Sequence, residues 1–213
     1  MIPIYLVSKT PFEGVVNIPI LKSIYFTPNI NFNKYDGLII TSKEVLFALK
    51  NYNDDWKKIP LIVVGDKTAN LALKLNANII DKANGYGEDV IDLIISKYSN
   101  LKWCYLRPKD IANNIKKILA KHNIIIDEKI IYETQCNNLK EIIEDNSILI
   151  FTSPKTIECF LKNHPINSTH IIITIGTTTK KALPKGIKSI IPDETSISKC
   201  VELAQQIQIN NTN

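Results

Sequence analysis

The chain has 213 residues, of which 45% are hydrophobic, which is ample for packed cores and excludes a globally disordered protein. Its formal charge of +5 comes from twenty-five Lys and a single Arg against 21 acids. The lysines are spread along the chain, which argues against a nucleic-acid grip; a Lys-, Asn- and Ile-rich composition or an anionic small ligand accounts for the excess. No apolar window reaches the length of a membrane span, and Met1–Ser8 is too short for a signal segment and has no basic leader. Cys104, Cys136, Cys159 and Cys200 lie far apart with no C-x-x-C spacing. A soluble cytoplasmic protein with reduced, mostly buried thiols, no metal knuckle and no disulfide frame is therefore expected.

In chain order, Ile2–Val7 reads as a strand, ended by the loop Ser8–Pro11, and Val15–Tyr25 reads as extended and broken at Pro19. After the polar loop Asn29–Asp36, Leu38–Ile40 is a continuous apolar run of the kind that parallel strands show when both faces are covered. Ser42 is placed to cap a helix over Lys43–Asn51. Leu61–Val64 is the next strand, Gly65 turns into a helix over Thr68–Leu75, and Ile79–Ile80 is a short strand. Asn84–Gly87 reads as a turn, and Glu88–Ser96 as a helix with acids in its first turn. Trp103–Leu106 follows as a strand, then a helix over Asp110–His122, one or two strands in Ile124–Tyr132, and a helix over Asn137–Ser147. Gln208–Asn213 is a polar tail.

A block of about sixty residues recurs at an offset of 111. Leu38–Ser42 matches Leu149–Ser153, Leu61–Gly65 matches Ile172–Gly176, Thr68 matches Thr179, and Ile79-Ile80 matches Ile190-Ile191. Two similar α/β units facing a shared cleft are the physical reading. The N-terminal segment leaves only about eight residues between its strands, so one helix of the first unit is expected to be missing, and its sheet face needs cover from another element or a partner chain.

The familiar catalytic patterns are absent: the sequence has no Gly-x-Gly-x-x-Gly, no P-loop, no nucleophile elbow and no histidine metal pattern. What recurs is hydroxyl at strand ends, in Thr41-Ser42, Gly65 with Thr68, Thr152-Ser153, and Gly176-Thr177-Thr178-Thr179. In parallel sheets ligands bind beyond the carboxyl ends of strands, where helix N-termini offer free N–H groups to carboxylates or phosphates. Each site taken alone is also explained as an N-cap. Arg107, ending a strand, could fork onto a carboxylate or lie on the surface, and Tyr132 could be a half-buried strand aromatic or a proton donor.

Taken together, Ile40-Thr41-Ser42, Val63–Ala69, Ile131-Tyr132-Glu133-Thr134, Phe151–Pro154 and Ile175–Thr179 resemble the uroporphyrinogen-III synthase family, by their order and spacing along nearly the whole chain. The resemblance implies an α/β fold of two flavodoxin-like parallel-sheet domains joined by a two-stranded ladder. One domain would be residues 1–20 plus 137–213 and the other 21–136, with crossovers near 19–26 and 129–137. It implies cyclisation of hydroxymethylbilane, a linear tetrapyrrole with many carboxylates, with loss of water and inversion of the last ring. It also implies no cofactor, no metal and a monomer. Tyr132 becomes the candidate acid toward the departing hydroxyl, and Thr41, Ser42, Gly65, Thr68, Arg107, Thr152, Ser153, Gly176, Thr177, Thr178 and Thr179 become the candidate substrate-binding residues. The family usually has proline where Thr177 stands and a full helix in the N-terminal segment. The alternative is a non-catalytic two-domain binding protein for an anionic small molecule, since two α/β lobes also serve that role.

Overall fold

The computed structural model describes residues 2–84, 87–111, 113–138 and 141–210. The expected turn at Asn84–Gly87 has its centre, Gly85 and Tyr86, outside these residues, as does the end of the tail from 211 onward. The chain forms two compact units, a central one of residues 23–134 and a discontinuous one of 1–22 plus 135–213.

The central unit is built on strands β4 (Gly37–Ile40), β5 (Leu61–Val64), β6 (Ile79–Ala83), β7 (Trp103–Pro108) and β8 (Ile126–Cys136), with β3 (Leu21–Tyr25) at the edge, in the order β3-β8-β7-β4-β5-β6. β4, β5, β6, β7 and β8 pair in parallel. Successive residues of each apolar run face opposite sides, as a period of two demands. Leu38, Ile40, Leu61, Val63, Cys104 and Leu106 enter one core, while Ile39, Ile62, Trp103 and Tyr105 enter the other. Helices α1 (Lys43–Leu49) and α2 (Asp66–Lys74) cover the first face, and α3 (Gly87–Lys97) and α4 (Ile115–Ala120) the second. Gly37 starts β4 because nothing larger fits: a Cβ there would come within 2.2 Å of the Trp103 ring. At β3 and β8 the amide of Phe26 donates to Ile131 O and that of Asn137 to Ile20 O, so the two strands run in opposite directions.

In the discontinuous unit the order is β10-β9-β1-β2, with β1 (Ile4–Val7), β2 (Val16–Ile18), β9 (Ile148–Phe151) and β10 (Ile171–Thr174), all paired in parallel. Tyr5, Val7, Leu149 and Phe151 pack with α5 (Pro154–Leu161), and Ile4, Leu6, Ile148 and Ile150 pack with α7 (Ile197–Asn210). No helix lies between β1 and β2, as the short spacing implied. The face it would have covered is closed by α7 of the same chain through Cys200, Val201 and Ala204, with Phe12 and Val15 at the margin. Asn17 clamps the connecting loop: its Oδ1 accepts the Phe12 amide at 2.7 Å and its Nδ2 donates to Phe12 O at 2.8 Å.

Three expectations are corrected. The helix read over Asp110–His122 is confined to Ile115–Ala120, because the Asn114 side chain accepts the Lys117 amide at 2.9 Å and so caps the helix late. Among the described residues of 137–147 there is no helix: Ile143 packs against the core, but its neighbour Ile142 is 87% exposed, and Asn146 takes a φ of 55°. Leu139 of that stripe lies outside the described residues. Finally, Cys136 and Cys159 form a disulfide, with a Cα–Cα distance of 5.2 Å. No sequence spacing signals it; the end of β8 and the buried face of α5 bring the two sulfurs together. Cys104 and Cys200 are the buried free thiols.

Candidate functional site

In the central unit the parallel register brings the carboxyl ends of β4, β5 and β7 to one edge. Thr41 follows β4 and Ser42 caps α1, accepting the Glu44 amide at 3.2 Å. Pro108 is level with Tyr132 in the β7–β8 register, and the Lys109 amide donates to Tyr132 O at 2.9 Å. Tyr132 therefore stands at the same edge, 6% exposed, near the Ser42 side chain. Thr41 Oγ1 and Tyr105 OH lie 3.3 Å apart beside them. Burial pushes the Tyr132 phenol above its ordinary range; the bond to Ser42 pulls the other way, and the charges of Glu44 and Tyr105 add to the rise. A phenol so placed stays protonated at neutral pH.

Gly65 ends β5 with φ 75° and ψ 155°, a backbone region essentially reserved for glycine, and opens α2. Thr68 is buried in α2. The guanidinium of Arg107 is turned inward: Nη1 donates to Pro108 O at 2.8 Å and Lys109 O at 3.0 Å, and Nε lies 3.3 Å from Glu128 Oε1. Those contacts leave little of Arg107 to clamp a ligand carboxylate.

In the discontinuous unit, Thr152 and Ser153 follow β9. Ser153 forms a capping box with Thr156, and Pro154 takes the first helical position, where its missing N–H costs nothing. Beyond β10, Gly176 is the N-cap of α6 (Thr177–Lys180) in ordinary extended geometry, with φ −176°. Thr177 holds the first helical position, which suits proline equally well, so the replacement leaves the turn able to form. Thr177 and Thr178 are exposed, whereas Thr179 is buried. A surface groove of about 710 Å³ runs along α5, lined by Pro154, Lys155, Glu158, Leu161, Lys162 and Ala182. Both of its lysines are held by Glu158, at 2.9 and 3.5 Å.

The structure thus brings Thr41, Ser42 and Tyr132 into one cluster, with Gly65 on the next strand. It adds three members that the sequence reading did not include. Glu44 accepts hydrogen bonds from Ser23 Oγ and Tyr25 OH, both at 2.8 Å, at this same cluster. An acid two residues after the N-cap was the available signal for Glu44; nothing in the sequence pointed to Ser23 or Tyr25, which reach it from a distant strand. Among the described residues no group of His, Cys, Asp or Glu could hold a metal ion, and no helix is long and apolar enough to cross a membrane.

The fold is that of a uroporphyrinogen-III synthetase from Helicobacter pylori, 24% identical, with 97% of this chain and 100% of that chain aligned at a TM-score of 0.82. A mutant uroporphyrinogen III synthase from the extremely thermophilic bacterium Thermus thermophilus is 11% identical over 98% of each chain, with a TM-score of 0.56. No curated protein matches the chain. The family model HEM4, uroporphyrinogen-III synthase HemD, matches residues 15–202. With most of its length so matched, the chain belongs to the uroporphyrinogen-III synthase family, enzymes of the cyclisation step in tetrapyrrole biosynthesis.

Proposed function

We propose that the chain turns hydroxymethylbilane into uroporphyrinogen III with Tyr132 as the proton donor. The observation that supports this role is a buried phenol, kept protonated at neutral pH, at the carboxyl edge of a parallel sheet. The Tyr132 O–H gives its proton to the terminal hydroxyl, the C–O bond breaks, and water leaves a cationic azafulvene. The substituted α-carbon of the last pyrrole attacks the azafulvene methylene of the first ring to give a spiro intermediate. The bond from that carbon to the neighbouring methylene bridge then breaks and re-forms at the free α-carbon of the same pyrrole, which closes the macrocycle with the last ring inverted. The proton lost from carbon restores the phenol, so atoms and charge balance. Thr41, Ser42, Gly65, Thr152, Ser153, Gly176, Thr177 and Thr178 position the substrate carboxylates through hydroxyls and backbone N–H groups. Thr68 and Thr179, both buried, support those turns from within, and Arg107 fixes the end of β7. The enzyme works as a cytoplasmic monomer without nucleic acid.

The test is product analysis after mixing with fresh hydroxymethylbilane. Mostly type III isomer supports the reading; only type I, as in a protein-free control, overturns it in favour of a binding protein. Tyr132→Phe should lower kcat by about a hundredfold or more without unfolding the protein, and wild-type turnover would remove Tyr132 from its role.

A further inference from the structure

The carboxyl edge of the central sheet holds a buried phenol that the reaction leaves unused. Tyr105, on β7, is level with Ile39 of β4, and its ring enters the core that Ile39, Ile62 and Trp103 share. The residue is 4% exposed, so its O–H needs an acceptor inside the protein. Thr41 lies two residues beyond Ile39, on the same side of the strand. Its Oγ1, 3.3 Å from Tyr105 OH, is the only hydrogen-bond partner of that phenol among the described residues.

Either oxygen of such a pair can donate, but only one direction satisfies both groups. The Tyr105 O–H has no second acceptor, whereas Thr41 is half-buried and can turn its own O–H outward. The phenol also stays protonated at neutral pH: burial raises its pKa, the bond to Thr41 and the Arg107 guanidinium draw it back, and Glu128 adds to the rise. Arg107 and Glu128 are paired with each other at 3.3 Å, so their opposite effects offset.

We infer that Tyr105 is a positioning residue for substrate binding: by donating to Thr41 Oγ1 it fixes that oxygen as an acceptor and leaves the Thr41 O–H as a donor to a substrate carboxylate at the end of β4. The inference rests on Thr41 holding such a carboxylate, as in the proposed function. A hydroxyl that accepts one hydrogen bond is polarised and donates a stronger one, and a charged acceptor gains most from it. The carboxylates take no part in the bond changes and are held alike in substrate and transition state. Loss of the Tyr105 hydroxyl therefore shows in KM, with kcat kept.

The experiment measures kcat and KM with hydroxymethylbilane for wild type, Tyr105→Phe, Thr41→Val and the double variant. Tyr105→Phe keeps the ring in the core and removes only the hydroxyl, so KM should rise about fivefold with kcat within about twofold. A merely structural Tyr105 would lower the melting temperature and the active fraction, and leave KM unchanged. Thr41→Val should raise KM about tenfold, and because Tyr105 acts through Thr41 the double variant should match it within about twofold. Wild-type KM in Tyr105→Phe beside a raised KM in Thr41→Val, a loss confined to kcat, or losses that multiply in the double variant would overturn the inference and leave the proposed function in place. Wild-type KM in Thr41→Val would remove Thr41 from the carboxylate site and this inference with it, whereas only type I isomer from the wild type would remove the reaction itself. Should Tyr105→Phe not fold, Thr41→Ser keeps the oxygen that accepts from Tyr105 and drops only the methyl. KM within about twofold of wild type is then expected. A rise as large as that of Thr41→Val would show that packing rather than Tyr105 sets the hydroxyl, and overturns the inference.

Discussion

The two copies of the repeated block fold alike at their start and diverge after their second strand. β4 and α1 recur at the offset of 111 as β9 and α5, each helix capped by its serine, and α3 recurs near it as α7. After β5, however, α2 runs nine residues and leads to the five-residue β6, whereas α6 stops after four residues and only an isolated bridge, Ile173 to Ile190, stands where β6 would be. Pro184 and Gly186 occupy the positions matching the end of α2 and the loop that follows it, and a proline there cannot continue a helix. The central unit thus keeps a full sheet, with Ser42 and Tyr132 at its carboxyl edge. The other unit has a shortened edge and a disulfide.

That difference makes predictions that separate the copies. The largest concerns the disulfide, which closes a loop of 23 residues in the discontinuous unit alone. Reduction, or Cys136→Ser, should remove about 3 kcal/mol from that unit and nothing from the central one. Denaturant unfolding followed by Trp56 and Trp103, both in the central unit, against far-UV circular dichroism should then split into two transitions. Coincident transitions under reducing conditions would contradict it.

Next come the matched glycines. Gly65→Ala places a side chain at φ 75° and should cost about 1–3 kcal/mol. Gly176→Ala, at φ −176° with its nearest neighbour 3.7 Å away, should change the melting temperature little. Equal effects would mean that the two turns share one geometry after all.

Ser153→Ala removes the capping box of α5 and should cost about 1 kcal/mol, visible as a shift in the denaturation midpoint.

The smallest effect at neutral pH is alkaline. Tyr25 is pushed up to about 12 by burial and its bond to Glu44, Cys104 to about 12 by burial, and burial also raises Tyr35, Tyr52, Tyr105 and Tyr132. All six lie in the central unit; in the other, burial raises Cys200 to about 11. Groups with folded pKa values above their unfolded ones stabilise fully below the unfolded values and lose that contribution as pH rises toward the folded ones. The central unit should therefore weaken from about pH 9, where Cys104 starts to ionise in the unfolded chain, up to about 12, and lose more stability than its neighbour, whose Cys200 contribution fades between about 9 and 11. Equal alkaline destabilisation of the two units would count against this difference.

Much of the fold was legible because it is written locally. Continuous apolar runs at Leu38–Ile40, Leu61–Val64 and Leu149–Phe151 identify buried parallel strands, and Ser42 and Ser153 identify helix starts, since both signals act between residues close in sequence. The helix read over 137–147 failed for the complementary reason: its Ile spacing had the right period, but Ile142 met no opposing surface. For the candidate site, the strand-end hydroxyls and Tyr132 stood out by position, but their partners did not.

By itself the sequence determined the buried parallel strands, the helix starts at Ser42 and Ser153, the repeat, the missing N-terminal helix and the family. Only the tertiary structure decided that α7 covers the bare face of β1, that Cys136 meets Cys159, that Arg107 pairs with Glu128, and that Ser23 and Tyr25 anchor Glu44. The reason is range. Hydrophobic period and capping act over a few residues, whereas these contacts join residues from nineteen apart to opposite ends of the chain, and only the packed sheet order brings them within reach.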